Sequence, residues 1–139
     1  MLVCGGSTGI GHSIARNFCI AGASSVIILA RRPDVLEASV EKLAEAHPKT
    51  HVVGRPCNVF NVDEINKAWD WLESSGVKID VLAWVAVGAP AMQPVLEQGA
   101  ARLWEDFENN VRAPLFCVER FYKQPGHDTQ KVCWTLQWL

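Results

Sequence analysis

The sequence predicts an α/β domain built on a parallel sheet with helices on both faces. Strand-like and helix-like segments alternate from the N-terminus to about residue 123. Two strand-like segments, Ser25–Ala30 and Ile79–Ala86, are apolar almost throughout, the pattern of strands covered on both faces. A glycine-rich turn, Cys4-Gly5-Gly6-Ser7-Thr8-Gly9-Ile10-Gly11, joins a short apolar strand to a helix-like run.

That turn carries the first functional signal. Glycines at 5, 9 and 11 let the backbone turn tightly and let a ligand approach closely. The helix after it, 10–21, repeats Ile10, Ile14 and Phe18 every four residues, with Ala15 and Cys19 beside them. Its N-terminus offers unpaired N–H groups and partial positive charge, so strand, turn and helix together read as a phosphate site. Gly22 ends the helix and Ser25–Ala30 follows as the second strand.

Arg31-Arg32-Pro33-Asp34 leads into the next helix, with Pro33 and Asp34 suited to its start and Leu36, Val40, Leu43 and Ala44 on one face. His51–Pro56 is a short third strand weakened by Gly54 and Pro56. A third helix spans about Val62–Glu73, with Ile65, Ala68, Trp69 and Leu72 inward, and Ile79–Ala86 is the fourth strand. Gly88–Gly99 reads as a loop. A long helix, about Ala100–Lys123, carries Trp104, Phe107, Val111, Leu115, Val118 and Tyr122 along one stripe. Gln124–Asp128 reads as a loop, and the alternation in Lys131–Leu139 suggests a last strand at an edge.

Bulk properties exclude several classes. A net charge of −2 and a pI near 6.1 make no electrostatic case for nucleic acid or an anionic membrane. The longest apolar run, Val81–Met92, is too short to span a bilayer. The N-terminus has no basic region before the glycines, so no secretory leader is expected. Five scattered cysteines and four unclustered histidines argue against disulfide or metal frameworks and for a reducing, cytoplasmic setting. His12 is expected to be solvated.

These residues resemble the N-terminal, cofactor-binding half of the short-chain dehydrogenase/reductase family. The glycine turn is similar to that family's T-G-x-x-x-G-I-G, with Cys4 in place of the threonine. Ile79-Asp80-Val81-Leu82 resembles its fourth strand. Trp104–Phe116 resembles its long interface helix, with Asn110 at the position of the helix-borne catalytic asparagine. The resemblance covers the chain to about residue 123. It implies a Rossmann-type doubly wound parallel sheet of order 3-2-1-4-5, a single NAD(P)-binding domain over 1–139, and hydride transfer to or from an alcohol or carbonyl. The cofactor-binding residues it implies are Gly5, Ser7, Thr8, Gly9, Ile10, Gly11, Arg31, Arg32, Asn58 and Val59.

Chemistry supports part of this independently. In dinucleotide sites a residue about 20 positions after the glycines meets the adenosine ribose. Here Arg31 and Arg32 stand there. A guanidinium suits a 2′-phosphate, so NADP is preferred over NAD; the alternative is a solvated turn. Cys57-Asn58-Val59 resembles the family's C-D-V, with Asn58 keeping an acceptor for the adenine amino group but not the charge. The family's asparagine-rich turn after the fourth strand is replaced by Trp84-Val85-Ala86-Val87-Gly88, for which no side-chain role is expected.

Asn110 and Pro114 belong together. Pro114 has no N–H to bond the Asn110 carbonyl, which would leave free the acceptor that holds a relay water in the family. Alternatively Pro114 kinks the helix and Asn110 caps its second half. The family's serine and Tyr-x-x-x-Lys have no counterpart: Tyr122 is followed directly by Lys123, with Gly126 at the fourth position. Tyr122 is expected in core or interface packing. The domain is therefore expected to be incomplete on its C-terminal side, as in a truncated or alternatively spliced product. Two alternatives stay open: a non-catalytic dinucleotide-binding or interaction module, with a homodimer through the 100–123 helix, and a non-functional fragment.

Overall fold

The computed structural model describes residues 1–88, 93–125 and 130–135. The strands are β1 (Leu2–Cys4), β2 (Ser25–Ala30), β3 (His51–Pro56), β4 (Val81–Trp84) and β5 (Val132–Thr135). All pair in parallel, in the order β3-β2-β1-β4-β5 that the resemblance implied. Central β1 pairs Leu2 with Ile27 on one side and Leu82 on the other. A strand of three residues thus becomes the axis of the sheet, fully buried.

Alternation along the strands divides the core. Leu2, Cys4, Ile27 and Leu29 face one layer; Val3, Val26, Ile28 and Ala30 face the other. The second layer is covered by α1 (Gly9–Ile20) and α2 (Pro33–Ala46), the first by α3 (Val62–Ser74) and α6 (Ala113–Tyr122). Asn61 caps α3, accepting the Asp63 and Glu64 N–H groups. Trp69 of α3 meets Phe121 of α6, ring centroids 6.4 Å apart. Arg120 of α6 bonds Asp70 and Glu73, 2.7 and 3.1 Å away, and these contacts more than offset its burial and raise its pKa.

Several expectations change in detail. Ile10 is 53% exposed; α1 buries Gly11, Ala15 and Cys19 instead, with Ile14 and Phe18 partly covered. Small residues face the sheet because the helix lies close to it. The interval after Gly88 contains a short helix, α4 (Val95–Gln98). The 100–123 segment is helical from 100 to 122 but not uniformly α: α5 (Ala100–Phe107) and α6 flank a π-helical stretch, Glu108–Arg112. The Ala113 N–H bonds the Glu108 carbonyl, five residues back. The wider turn ends directly before Pro114, where an N–H is missing.

The apolar stripe of that helix exists but faces outward. Trp104, Phe107, Val111, Leu115 and Tyr122 are exposed, Tyr122 by 78%, and Val118 is partly buried. Ala113, Pro114, Cys117 and Phe121 pack inward instead. Gln124, expected in a loop, is buried: Oε1 accepts the Ile79 N–H at 2.9 Å, and Nε2 donates to the Ile79 and Phe121 carbonyls. β5 is an edge strand, and all four of its residues are exposed. The rest of the predicted last strand, 136–139, lies outside the described residues.

Candidate dinucleotide site

The strand order reverses between β1 and β4. In doubly wound sheets the crevice at the C-terminal strand ends beside such a reversal is where ligands bind. Here the Cys4 carbonyl accepts N–H groups from Val85 and Ala86, and the Gly5 N–H donates to Leu29, tying the turn to both neighbouring strands.

The glycines meet different demands. Gly5 and Gly9 have φ of +88° and +55°, a region costly for other residues. Gly11 has no such φ, but a Cβ there would stand 2.2 Å from the Gly5 carbonyl oxygen. A Cβ on Gly9 would meet nothing within 4 Å, so the turn is open on that side. Thr8 precedes α1 in extended geometry, and no side chain caps the helix. Helix N–H groups without an internal partner and an open side make a cradle suited to a pyrophosphate.

A cleft runs from this cradle toward β3. Gly5, Ser7 and Thr8 form one wall, Arg31 and Arg32 the rim, and Cys57, Val59 and Phe60 the far wall; Ala86 and Val87 close it beside β4. Both arginines are exposed, and neither forms an ion pair with another described residue. The Arg31 Cζ lies 5.5 Å from the centroid of the Phe60 ring. Asn58 sits at the turn itself: its N–H donates to Glu64 Oε2 at 2.6 Å, and its Oδ1 accepts the Phe60 N–H at 3.3 Å. Asn58 thus orders the far wall from below. The exposed guanidiniums of Arg31 and Arg32 offer hydrogen-bond donors at the rim.

Sequence reading missed Phe60, Ala86 and Val87 as cleft residues. Ala86 shows why: a Cβ on Gly5 would meet the Ala86 backbone at 2.8 Å, so main chain rather than side chain shapes that corner. His12 is also placed differently from expectation. It is half-buried, its Nδ1 2.7 Å from Ser39 Oγ, and it joins α1 to α2. Burial, then Lys42 and Arg16, lower its pKa.

Asn110 lies apart from the cradle, in the π-helical stretch, with Oδ1 accepting the Gly88 N–H at 3.0 Å. Its side-chain oxygen anchors the segment after β4. The neighbouring thiols are unsuited to nucleophilic work. The contact with Cys117, 3.9 Å between sulfurs, and burial raise the Cys4 pKa, and burial pushes Cys57 up to about 12. Among the described residues no cluster could hold a metal ion, and no helix is long and apolar enough to cross a membrane.

A phosphate-type cradle at the strand reversal, with the predicted order around it, agrees with what sequence comparison finds: residues 1–129 match the short chain dehydrogenase family. The chain belongs to that family. The short chain dehydrogenase/reductase AacuD of Aspergillus aculeatus is 31% identical over 132 residues, 95% of this chain and 45% of that protein. The farnesol dehydrogenase of Aedes aegypti is 30% identical over 123 residues, 88% of this chain and 49% of that one. The chain thus spans about half the length of these dehydrogenases. Among solved structures, a short-chain dehydrogenase/reductase from Mycobacterium ulcerans superposes with a TM-score of 0.79 at 25% identity, covering 88% of this chain and 45% of its own. An actinorhodin polyketide ketoreductase variant with NADPH gives 0.78 at 27%, covering 90% and 46%.

Proposed function

We propose that these residues bind NADP(H), in preference to NAD(H), as the cofactor module of a short-chain dehydrogenase. The observation that carries this reading is the convergence of the glycine cradle and the Arg31–Arg32 pair on one cleft. The pyrophosphate would lie against Gly5, Ser7, Thr8, Gly9, Ile10 and Gly11, the 2′-phosphate against Arg31 and Arg32, and the adenine near Asn58 and Val59. The ketoreductase variant solved with NADPH supports the cofactor class. When bound, the dinucleotide supplies or accepts a hydride at an alcohol or carbonyl carbon.

Asn110 is the candidate catalytic residue on this side of the reaction. No serine or Tyr-x-x-x-Lys counterpart is found in these 139 residues, and Tyr122 points to solvent. On their own they are therefore expected to bind the cofactor and turn over little. The outward stripe of α5 and α6 supports a homodimer through the 100–123 helix; a monomer by analytical ultracentrifugation would remove that part. A cytoplasmic setting belongs to the same proposal.

The test titrates NADPH and NADH against wild type and an Arg31→Ala, Arg32→Ala double variant. Charge-assisted hydrogen bonds contribute about 1.5–3 kcal/mol each, so NADPH affinity should fall about tenfold or more while NADH affinity hardly changes. Equal losses would defeat the phosphate assignment. Rapid carbonyl reduction by these residues alone would defeat the claim of low turnover.

A further inference from the structure

Phe60 is a large aromatic residue in a cleft otherwise lined mainly by small side chains and backbone, and the site described above gives it no task. It is half-buried between β3 and α3, in a turn fixed at several points. Its N–H donates to Asn58 Oδ1 at 3.3 Å, Asn61 N–H donates to the Asn58 carbonyl at 2.9 Å, and Asn58 N–H is held by Glu64 at 2.6 Å. The ring therefore has a defined place. Exposed Arg31 reaches across the cleft edge from β2, its Cζ 5.5 Å from the ring centroid.

We propose that Phe60 is a specificity-determining positioning residue for the phosphorylated dinucleotide: it holds the Arg31 guanidinium at the cleft rim with the N–H edge left free. The inference rests on the dinucleotide reading above. Cation–π attraction holds the planar guanidinium over the face of the aromatic ring. Its N–H donors point outward in the plane, where a phosphate oxygen binds. Arg31 is on an exposed turn, and without the ring it would have to be ordered by the phosphate itself. The ring lowers that ordering cost for a 2′-phosphate and does nothing for a 2′-hydroxyl.

The test measures NADPH and NADH affinities for Phe60→Leu, Phe60→Tyr and Phe60→Leu combined with Arg31→Ala. Leu keeps an apolar side chain without a π face; Tyr keeps the face. A cation–π contact at an exposed site corresponds to roughly two- to fivefold in affinity. Phe60→Leu should weaken NADPH by that factor and leave NADH unchanged, and Phe60→Tyr should retain wild-type discrimination. In the Arg31→Ala background Phe60→Leu should have no further effect. Should Phe60→Leu fail to fold, Phe60→Met carries the same cycle. Unchanged or tighter NADPH binding by a folded variant overturns the inference, as do equal losses for both dinucleotides. Wild-type protein that binds neither dinucleotide overturns the parent reading and this one together. Discrimination that depends on Arg31 but not on Phe60 overturns this one alone.

Discussion

Replacing Gly11 with alanine sets two effects against each other. In a helix interior alanine is favoured over glycine by about 1 kcal/mol. Gly11 is in the first turn of α1 and has no positive φ, so its backbone conformation suits alanine. Space does not. The added Cβ would stand 2.2 Å from the Gly5 carbonyl oxygen, where ordinary contact begins at 3.4 Å, so helix and turn must part by about 1.2 Å. Overpacking a well-filled site costs about 1–3 kcal/mol. The opposing atom here is backbone, with no rotamer to yield, which places the overpacking cost near the top of that range and the net cost, after the alanine preference, at about 2 kcal/mol. For a domain of this size that is a fall in Tm of roughly 7 °C. Thermal denaturation and NADPH titration read both consequences, and cofactor affinity should fall with stability because the displaced atoms form the cradle. Gly9→Ala is the control: φ is +55° and no atom is within 4 Å, so its cost should be only the left-handed strain of about 1–2 kcal/mol. A Gly11→Ala protein as stable as wild type that still binds NADPH would refute the reasoning, because crowding would not be what demands glycine there.

Two further outcomes follow from buried polar groups. Gln124→Ala removes the partners of the Ile79 N–H and carbonyl at the entrance to β4, and should cost about 2–3 kcal/mol in urea denaturation; a cost under about 0.5 kcal/mol would show that water replaces the side chain. Burial holds the Cys57 thiol protonated to about 12, against an ordinary value of 9.0. The unfolded chain therefore loses that proton first, and stability falls as pH rises from about 9 toward 12, at up to about 1.4 kcal/mol per pH unit. Cys57→Ala should flatten that decline; an unchanged slope would assign it to other groups.

Much of the architecture was legible because period and punctuation act locally. Ser25–Ala30 has the apolar pattern of a strand covered on both faces, and Gly22 marks where the first helix stops. The cradle was legible for the same reason: turn chemistry needs particular residues at particular spacings. Of the far wall, Val59 was legible through the Cys57-Asn58-Val59 resemblance and Phe60 was not. Phe60 contributes by lying opposite Arg31, a neighbour 29 positions away in sequence, and no local pattern encodes that. The direction of the α5 and α6 stripe has the same limit. Periodicity shows that Trp104, Phe107, Val111 and Leu115 share a face, but the side turned to the sheet is set by which face packs closely, and the small residues Ala113 and Cys117 do that. Gln124 looked like loop polarity because its bonding partners, Ile79 just before β4 and Phe121 in α6, are brought to it only by the fold.

By itself, then, the sequence determined the element order, the parallel sheet, the glycine cradle and the arginines that follow it. Each depends on backbone conformation or on residues within one strand–turn–helix unit. Tertiary structure alone decided that Gly11 is required for space rather than for φ, and that Asn58 braces Phe60 while Phe60 faces Arg31. It also decided that the Asn110 side chain holds Gly88. These are contacts between distant segments, and they exist only once the sheet has brought the C-terminal ends of β1, β2, β3 and β4 to one edge.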